Sequence, residues 1–286
     1  MNLISKAAFQ GLMFLAFVCF VSVPEEASAQ TPSPLQEWQY PGGSILQKVF
    51  MPEVPKWSEV TGLAVLEQPI YEGARGYRVE VGPVIDIRYY DIAFLSVGEG
   101  LGVNLLRGKM YEAGVALGYD LGRRDSDDYN RLHGLGDIGR APVFKVFGSW
   151  VVSEKFPVVL RADLRKIVGG AEGIIGDLEA FMPLPGSSKT FFMLAGPSIT
   201  FANRQFMGKE FGVSAAQSAA SGYASYVAHG GDNEFGLGFS ATKFLTAHWL
   251  LNTNLAVNRL LGSARDSPIT QTQAENTFEI ATAYRW

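Results

Sequence analysis

The stretch that decides the fold is "YRVEVGPVIDIRYY", Tyr77–Tyr90. Val79, Val81, Ile85, Ile87 and Tyr89 fall on one face, while Arg78, Glu80, Asp86 and Arg88 fall on the other. A period of two is the mark of a strand whose faces meet unlike surroundings. The apolar members are β-branched or aromatic, the types that suit a pleated surface.

The pattern repeats outward from there. In "VLRADLR", Leu160, Ala162 and Leu164 oppose Arg161, Asp163 and Arg165. Similar segments follow in "YEAGVALGYDLG", "VFKVFGSWVV", "IIGDLEAFMPL", "FFMLAGPSITFA", "EFGLGFSATKFL", "LLNTNLAVNRLLG" and "NTFEIATAYRW". Their connections alternate between short ones ("SEKFP", "PGSSK", "LTAH") and long polar ones: "GRRDSDDYNRLHGLGDIGR", residues 203–233 and "SARDSPITQTQAE". A barrel of the outer membrane has this asymmetry, with short periplasmic turns and long extracellular loops. A soluble sandwich has no reason to sort its loops this way.

Aromatic residues gather near strand ends on the apolar face: Tyr77, Tyr89, Tyr111, Tyr119, Trp150, Trp249, Tyr284 and Trp286. Rings with one apolar and one wet side favour the two membrane-water interfaces. In the closing "FEIATAYRW", Phe278, Ile280, Tyr284 and Trp286 share a face, so the chain end belongs in the periplasmic girdle. The expected fold is all-β, a transmembrane antiparallel β-barrel spanning residues 61–286. Both termini are periplasmic, which requires an even strand number. Twelve results if the glycines of "VGEGLG" split "IAFLSVGEGLGVNLLRG" into a hairpin, and ten if "TGLAVLEQPIY" lies outside the wall; twelve is adopted.

At the other end, Lys6, an apolar run of 17 residues (Ala7–Val23) and "ASA" before Gln30 have the layout of a secretory signal peptide, residues 1–29. The run is at the lower limit for a spanning helix. The single cysteine, Cys19, leaves with it. Residues 30–60, with five prolines, read as an irregular segment. Cleavage leaves 257 residues and changes 24 basic and 28 acidic side chains to 23 and 26. No basic patch points to nucleic acid.

Inward-facing charges follow from the alternation: Arg78, Arg88, Lys145, Arg161, Arg165 and Arg285 with Glu80, Asp86, Glu112, Asp120, Asp163, Asp177, Glu179 and Glu279. On the lipid face near the midplane each Arg or Lys would cost roughly 2–4 kcal/mol, which drives them inward. They form either an ion-paired plug or a narrow polar channel, and the plug is preferred because porins need 16 or more strands for a broad aqueous lumen.

"GLGDIG" (Gly134, Gly136, Gly139) satisfies the G-x-G-x-x-G string, but a dinucleotide site needs it between a strand and a helix, and here a charged loop precedes it. His133, His229 and His248 show no metal spacing, and no G-x-S-x-G elbow is present. No enzyme, cofactor or metal is expected. The loop "FMGKEFGVSAAQSAASGYASYVAHGGDNE" is too long for a passive connection. It either folds over the barrel mouth or offers a contact surface.

Several stretches together resemble the MltA-interacting protein family, also called MipA/OmpV. They are "GLGVNLLRG" (Gly100–Gly108), "GVALGYDLGR" (Gly114–Arg123), "LHGLGDI", "PLPGSS", "GPSITFAN", "FGVSAAQSAASGY" (Phe211–Tyr223) and "RLLGSARDSPI" (Arg259–Ile269), in order across residues 60–286. Gly139 stands where the family often has aspartate, and Trp286 where phenylalanine is common. The resemblance implies a Gram-negative outer-membrane barrel that acts as a scaffold for a lytic transglycosylase and a penicillin-binding murein synthase on the periplasmic side. Alternatively, it implies a small-solute channel or surface adhesin. Expected partners are outer-membrane lipids, lipopolysaccharide and the barrel assembly machinery, which reads a terminal aromatic signal formed by Tyr284 and Trp286.

Overall fold

The computed structural model describes Ile45, Leu46, Lys48, residues 54–188 and residues 190–286. The expected signal peptide and most of the segment 30–60 lie outside the described residues. Twelve strands run in chain order: β1 (Trp57–Pro69), β2 (Tyr77–Tyr89), β3 (Ala93–Ser96), β4 (Gly100–Arg107), β5 (Tyr111–Asp120), β6 (Ala141–Val151), β7 (Val159–Ile167), β8 (Gly173–Pro183), β9 (Phe191–Ala202), β10 (Gly231–Phe244), β11 (Trp249–Leu260) and β12 (Ala274–Arg285). Each pairs with its neighbours in the chain, and β1 pairs with β12 to close the barrel. Every pairing is antiparallel.

Both strands that decided the count are in the wall. "TGLAVLEQPIY" lies largely in β1, which begins at Trp57, four residues ahead of the expected boundary. The "VGEGLG" segment turns between β3 and β4. Gly100 has φ +85°, and a Cβ there would lie 2.2 Å from the Leu117 carbonyl, so the turn requires glycine. The Ser96 hydroxyl accepts the Glu99 N–H at 2.9 Å and closes the same turn.

The exterior is apolar. Leu63, Val79, Val81, Leu101, Val146, Leu164, Leu178, Leu237 and Val257 are exposed on outward positions. Trp57, Tyr111, Trp150, Trp249 and Trp286 are exposed at strand ends on the side of the short turns, while Tyr77 and Tyr119 mark the other rim. A closed barrel with an apolar outer band flanked by aromatic girdles is the architecture that spans a bacterial outer membrane with strands. Among the described residues no helix is long and apolar enough to cross a membrane.

The long loops carry short helices: α1 (Tyr129–Leu132), preceded by a 3-10 turn (Asp125–Asp128), α2 (Arg204–Glu210), α3 (Ala215–Ser221) and α4 (Gly262–Arg265). Helix α2 starts at Asn203, whose side chain accepts the Phe206 N–H, and α3 at Ser214, in a capping box with Gln217. The loop between β9 and β10 folds over the extracellular mouth. Its Phe206, Met207, Phe211 and Ala228 form one buried cluster with Ile138, Ile167, Ile175 and Leu260 of neighbouring strands and loops. Val213 joins Tyr71, Leu132, Leu135 and Ile269 in a second cluster. Of the two alternatives for this loop, the structure has the lid.

Candidate functional site: the charged lumen

A strand that alternates sends every second side chain into the barrel, and those positions carry the charges. Glu112, Asp120, Lys145, Arg161, Asp163, Arg165, Asp177, Glu179 and Glu279 are all buried, and Arg78, Glu80, Asp86 and Arg88 are half-buried. Arg285 is the exception. It ends β12 at the periplasmic rim, below the lumen charges, where it donates to the Ala247 carbonyl at 2.9 Å and covers the Phe244 ring at 4.9 Å. Its position as the last strand residue puts its side chain against the adjoining turn.

The ion pairs fall in levels along the barrel. At the periplasmic end Lys48 reaches Glu112 at 2.7 Å and Asp91 at 3.8 Å. The helical residues Ile45 and Leu46 beside it are buried against Val151, Val159, Phe181 and Leu194. Near the periplasmic end of β2, Arg88 pairs with Asp86 at 2.9 Å and also with Glu99 in the β3–β4 turn. Arg161 lies 3.9 Å from Glu99 and donates to Ser149 at 3.0 Å. Both guanidinium groups lie against rings, Arg88 on Phe94 at 5.3 Å and Arg161 on Phe147 at 5.0 Å. The rings themselves meet edge to face at 5.7 Å. Further along β7, Arg165 bridges Asp163 at 3.3 Å and Asp177, and Asp177 accepts the Thr200 hydroxyl at 2.5 Å. Asn254 links Glu279 at 2.9 Å to Asn252 at 2.7 Å.

Towards the extracellular mouth Glu80 receives Arg78 at 3.1 Å and Gln68 at 3.0 Å. Arg123 donates to the Glu210 carbonyl at 2.9 Å and lies 3.6 Å from its carboxylate, tying the lid to the loop after β5. Burial pushes the Glu210 carboxyl up to about 8, against the pull of Arg123. Burial and the nearby Glu275 raise Glu72, in the loop between β1 and β2, to about 7. Both are loop groups whose burial disfavours the charged carboxylate, so each keeps its proton to higher pH than an exposed glutamate.

Several members escape the alternation rule. Glu99 sits in a turn, Lys48 in the proline-rich segment, and Arg123 and Glu210 in loops. Only the placing of Glu99 between two glycines gave any local signal. The remaining motifs stay apart from this network. Gly134 and Gly136 of "GLGDIG" occupy the extracellular loop at φ +83° and +76°, with no strand-to-helix turn around them. His133 and His229 are in extracellular loops and His248 in a periplasmic turn, where its ring stacks on Tyr284. Among the described residues no group of three His, Cys, Asp or Glu could hold a metal.

At the chain end, the Trp286 N–H donates to the Glu59 carbonyl at 3.0 Å and its indole N–H to the Thr61 hydroxyl at 3.0 Å. Its ring meets Tyr284 edge to face at 4.9 Å, and Tyr284 meets Trp249 at 5.3 Å. The terminal aromatic therefore fastens the seam between β12 and β1.

Solved structures with a similar fold are outer-membrane proteins at low identity. An outer-membrane channel from Pseudomonas putida F1 is 10% identical, covers 82% of this chain and 97% of its own, and has a TM-score of 0.44. The monoaromatic hydrocarbon channel CymD is 7% identical over 91% of this chain and 94% of its own, at 0.41. The NanC porin is 10% identical over 78% and 98%, at 0.40. No curated protein matches the chain. The model of one family, the MltA-interacting protein MipA, matches residues 61–286, and the chain belongs to that family.

Proposed function

We propose that this protein is a non-enzymatic, non-conducting outer-membrane barrel that anchors murein-remodelling enzymes, a lytic transglycosylase and a penicillin-binding synthase, at its periplasmic rim. The observation that carries this reading is the occupied lumen. Ion pairs fill it at several levels, Ile45, Leu46 and Lys48 lie across its periplasmic end, and the lid covers its mouth. Among the described residues, ion pairs and packed side chains lie across the axis at both ends, which opposes free axial passage of solute and leaves the surfaces to do the work. The family description, MltA-interacting protein, supports a role as an interaction partner. The rim offers charged groups for contact, including Lys109 and Glu154, paired at 2.5 Å and half-exposed.

The test is retention of murein hydrolases and synthases on the detergent-solubilised barrel, beside single-channel recording in planar bilayers. Specific retention of a transglycosylase together with negligible conductance is expected. Steady conductance without retention of either enzyme class would replace the scaffold with the small-solute channel.

A further inference from the structure

The wall is incomplete. Strands β1 and β2 pair along all thirteen residues of β2, yet β2 meets β3 only from Asp86 to Tyr89, with one further bond from the Val97 N–H to the Ile85 carbonyl. Among the described residues no strand pairs with Tyr77–Val84 on that side. Across the gap, β5 pairs with β4 only as far as Leu117, leaving Gly118–Asp120 beyond it. The tip of the β3–β4 hairpin closes the gap below. Above it, the loop carrying α1 packs Leu132 and Leu135 against Tyr71 and Ala74 of the loop between β1 and β2. The result is a framed window. Tyr77 and Tyr89 mark the two rims of β2, so the window lies in the extracellular half of the apolar band.

Two features mark this window. Gly82 and Gly118 are the lumen-facing positions on its opposite sides, between inward Val84 on one strand and Ala116 and Asp120 on the other. A Cβ on Gly82 would touch nothing within 4 Å, and one on Gly118 only the Val143 Cβ at 3.8 Å. Neither glycine has the left-handed φ that would explain it by backbone need. The second feature is the frame itself. Because the Ile85 carbonyl points to the hairpin, alternation turns the backbone groups of Tyr77, Val79, Val81 and Pro83 to the open side. Pro83 removes one donor there, as proline does on edges. The other groups face hydrocarbon, where an unmet amide is costly.

We propose that the window is a lateral portal through which a neutral single-chain amphiphile passes between the outer leaflet and the lumen. The tail would lie against exposed Val79, Val81 and Leu101, and a hydroxyl head would bond to part of the backbone edge. A neutral head is specified because the ions behind the window, Arg78 and Glu80, already pair with each other, as do Arg88, Asp86 and Glu99 below it. The portal is independent of the scaffold role, which concerns the periplasmic rim.

The experiment uses the full-length protein, purified from outer membranes into phosphatidylcholine vesicles, with a diazirine-bearing monoacylglycerol as probe. After photolysis, peptide mapping is expected to find label on inward Arg78 and Glu80 as well as on outward Val79 and Val81. Gly82→Leu and, separately, Gly118→Leu fill the passage and should lower inward labelling at least fivefold with outward labelling retained, in protein that keeps its heat-modifiable gel mobility. The portal is overturned if the inward residues of the wild type stay unlabelled, or if a folded filled variant labels them as the wild type does. Equal inward labelling by the matching diazirine fatty acid would overturn the neutral class.

Discussion

Arg161 and Arg165 show how single residues hold the lumen. Each is almost fully buried, and each faces carboxylates that are buried as well. Breaking such a pair from one side leaves a buried charge uncompensated, at roughly 3–5 kcal/mol. Arg161→Ala with Arg165→Ala removes the cations facing Glu99, Asp163 and Asp177. The double variant is expected to unfold at lower temperature in detergent or, where water enters to solvate the carboxylates, to conduct measurably in planar bilayers. Wild-type melting and wild-type silence together would refute the ion-paired plug. Alternation in "VLRADLR" already put these three charges on one face. It had no means of giving their partners, because Asp177 and Glu99 come from other strands or turns.

At the scale of elements, β12 is decisive because it is both the last strand and the partner of the first. Its register with β1 runs from Val60 opposite Arg285 to Glu67 opposite Phe278, and Trp286 adds two bonds beyond it. Deleting Trp286 removes those bonds and one interfacial ring from a seam that keeps its whole ladder. Refolding into detergent micelles should therefore proceed nearly as in wild type. Insertion in cells is expected to fall sharply if the terminal aromatic is also what the assembly machinery reads. Quantifying both on the same variant separates the roles: normal outer-membrane levels would exclude the signal, and failed refolding would show a structural role instead. The amphipathic reading of "FEIATAYRW" was enough to identify a closing strand. The bonds from Trp286 to Glu59 and Thr61 join residues more than two hundred positions apart and left no local trace.

For the molecule as a whole, the lid over the mouth is tied to proton binding. The folded Glu210 carboxyl titrates at about 8 against an ordinary 4.5, so the folded state keeps a proton that the unfolded chain releases. Stability from this group is therefore constant below about 4.5, declines as pH rises to about 8, and is flat above. Glu72, at about 7, acts in the same direction over a narrower range. Hydrogen exchange across α2 and α3, corrected for the intrinsic rate, is expected to be slower at about pH 6 than at about pH 9. Glu210→Gln, which carries no proton to lose, should flatten much of that difference; a profile unchanged by the substitution would assign the pH effect elsewhere.

The sequence by itself determined the barrel, its apolar exterior, its aromatic rims and the inward placing of most lumen charges. Each depends on a period of two and on the cost of charge in hydrocarbon, both of which act residue by residue along a strand. Tertiary structure alone decided which charges pair, that Lys48 returns to the periplasmic end, that the long loop is a lid, and that the wall opens between β2 and β5. Those features depend on the register of strands distant in sequence and on a hairpin too short to complete its part of the sheet. Neither quantity is written in the alternation of any one segment.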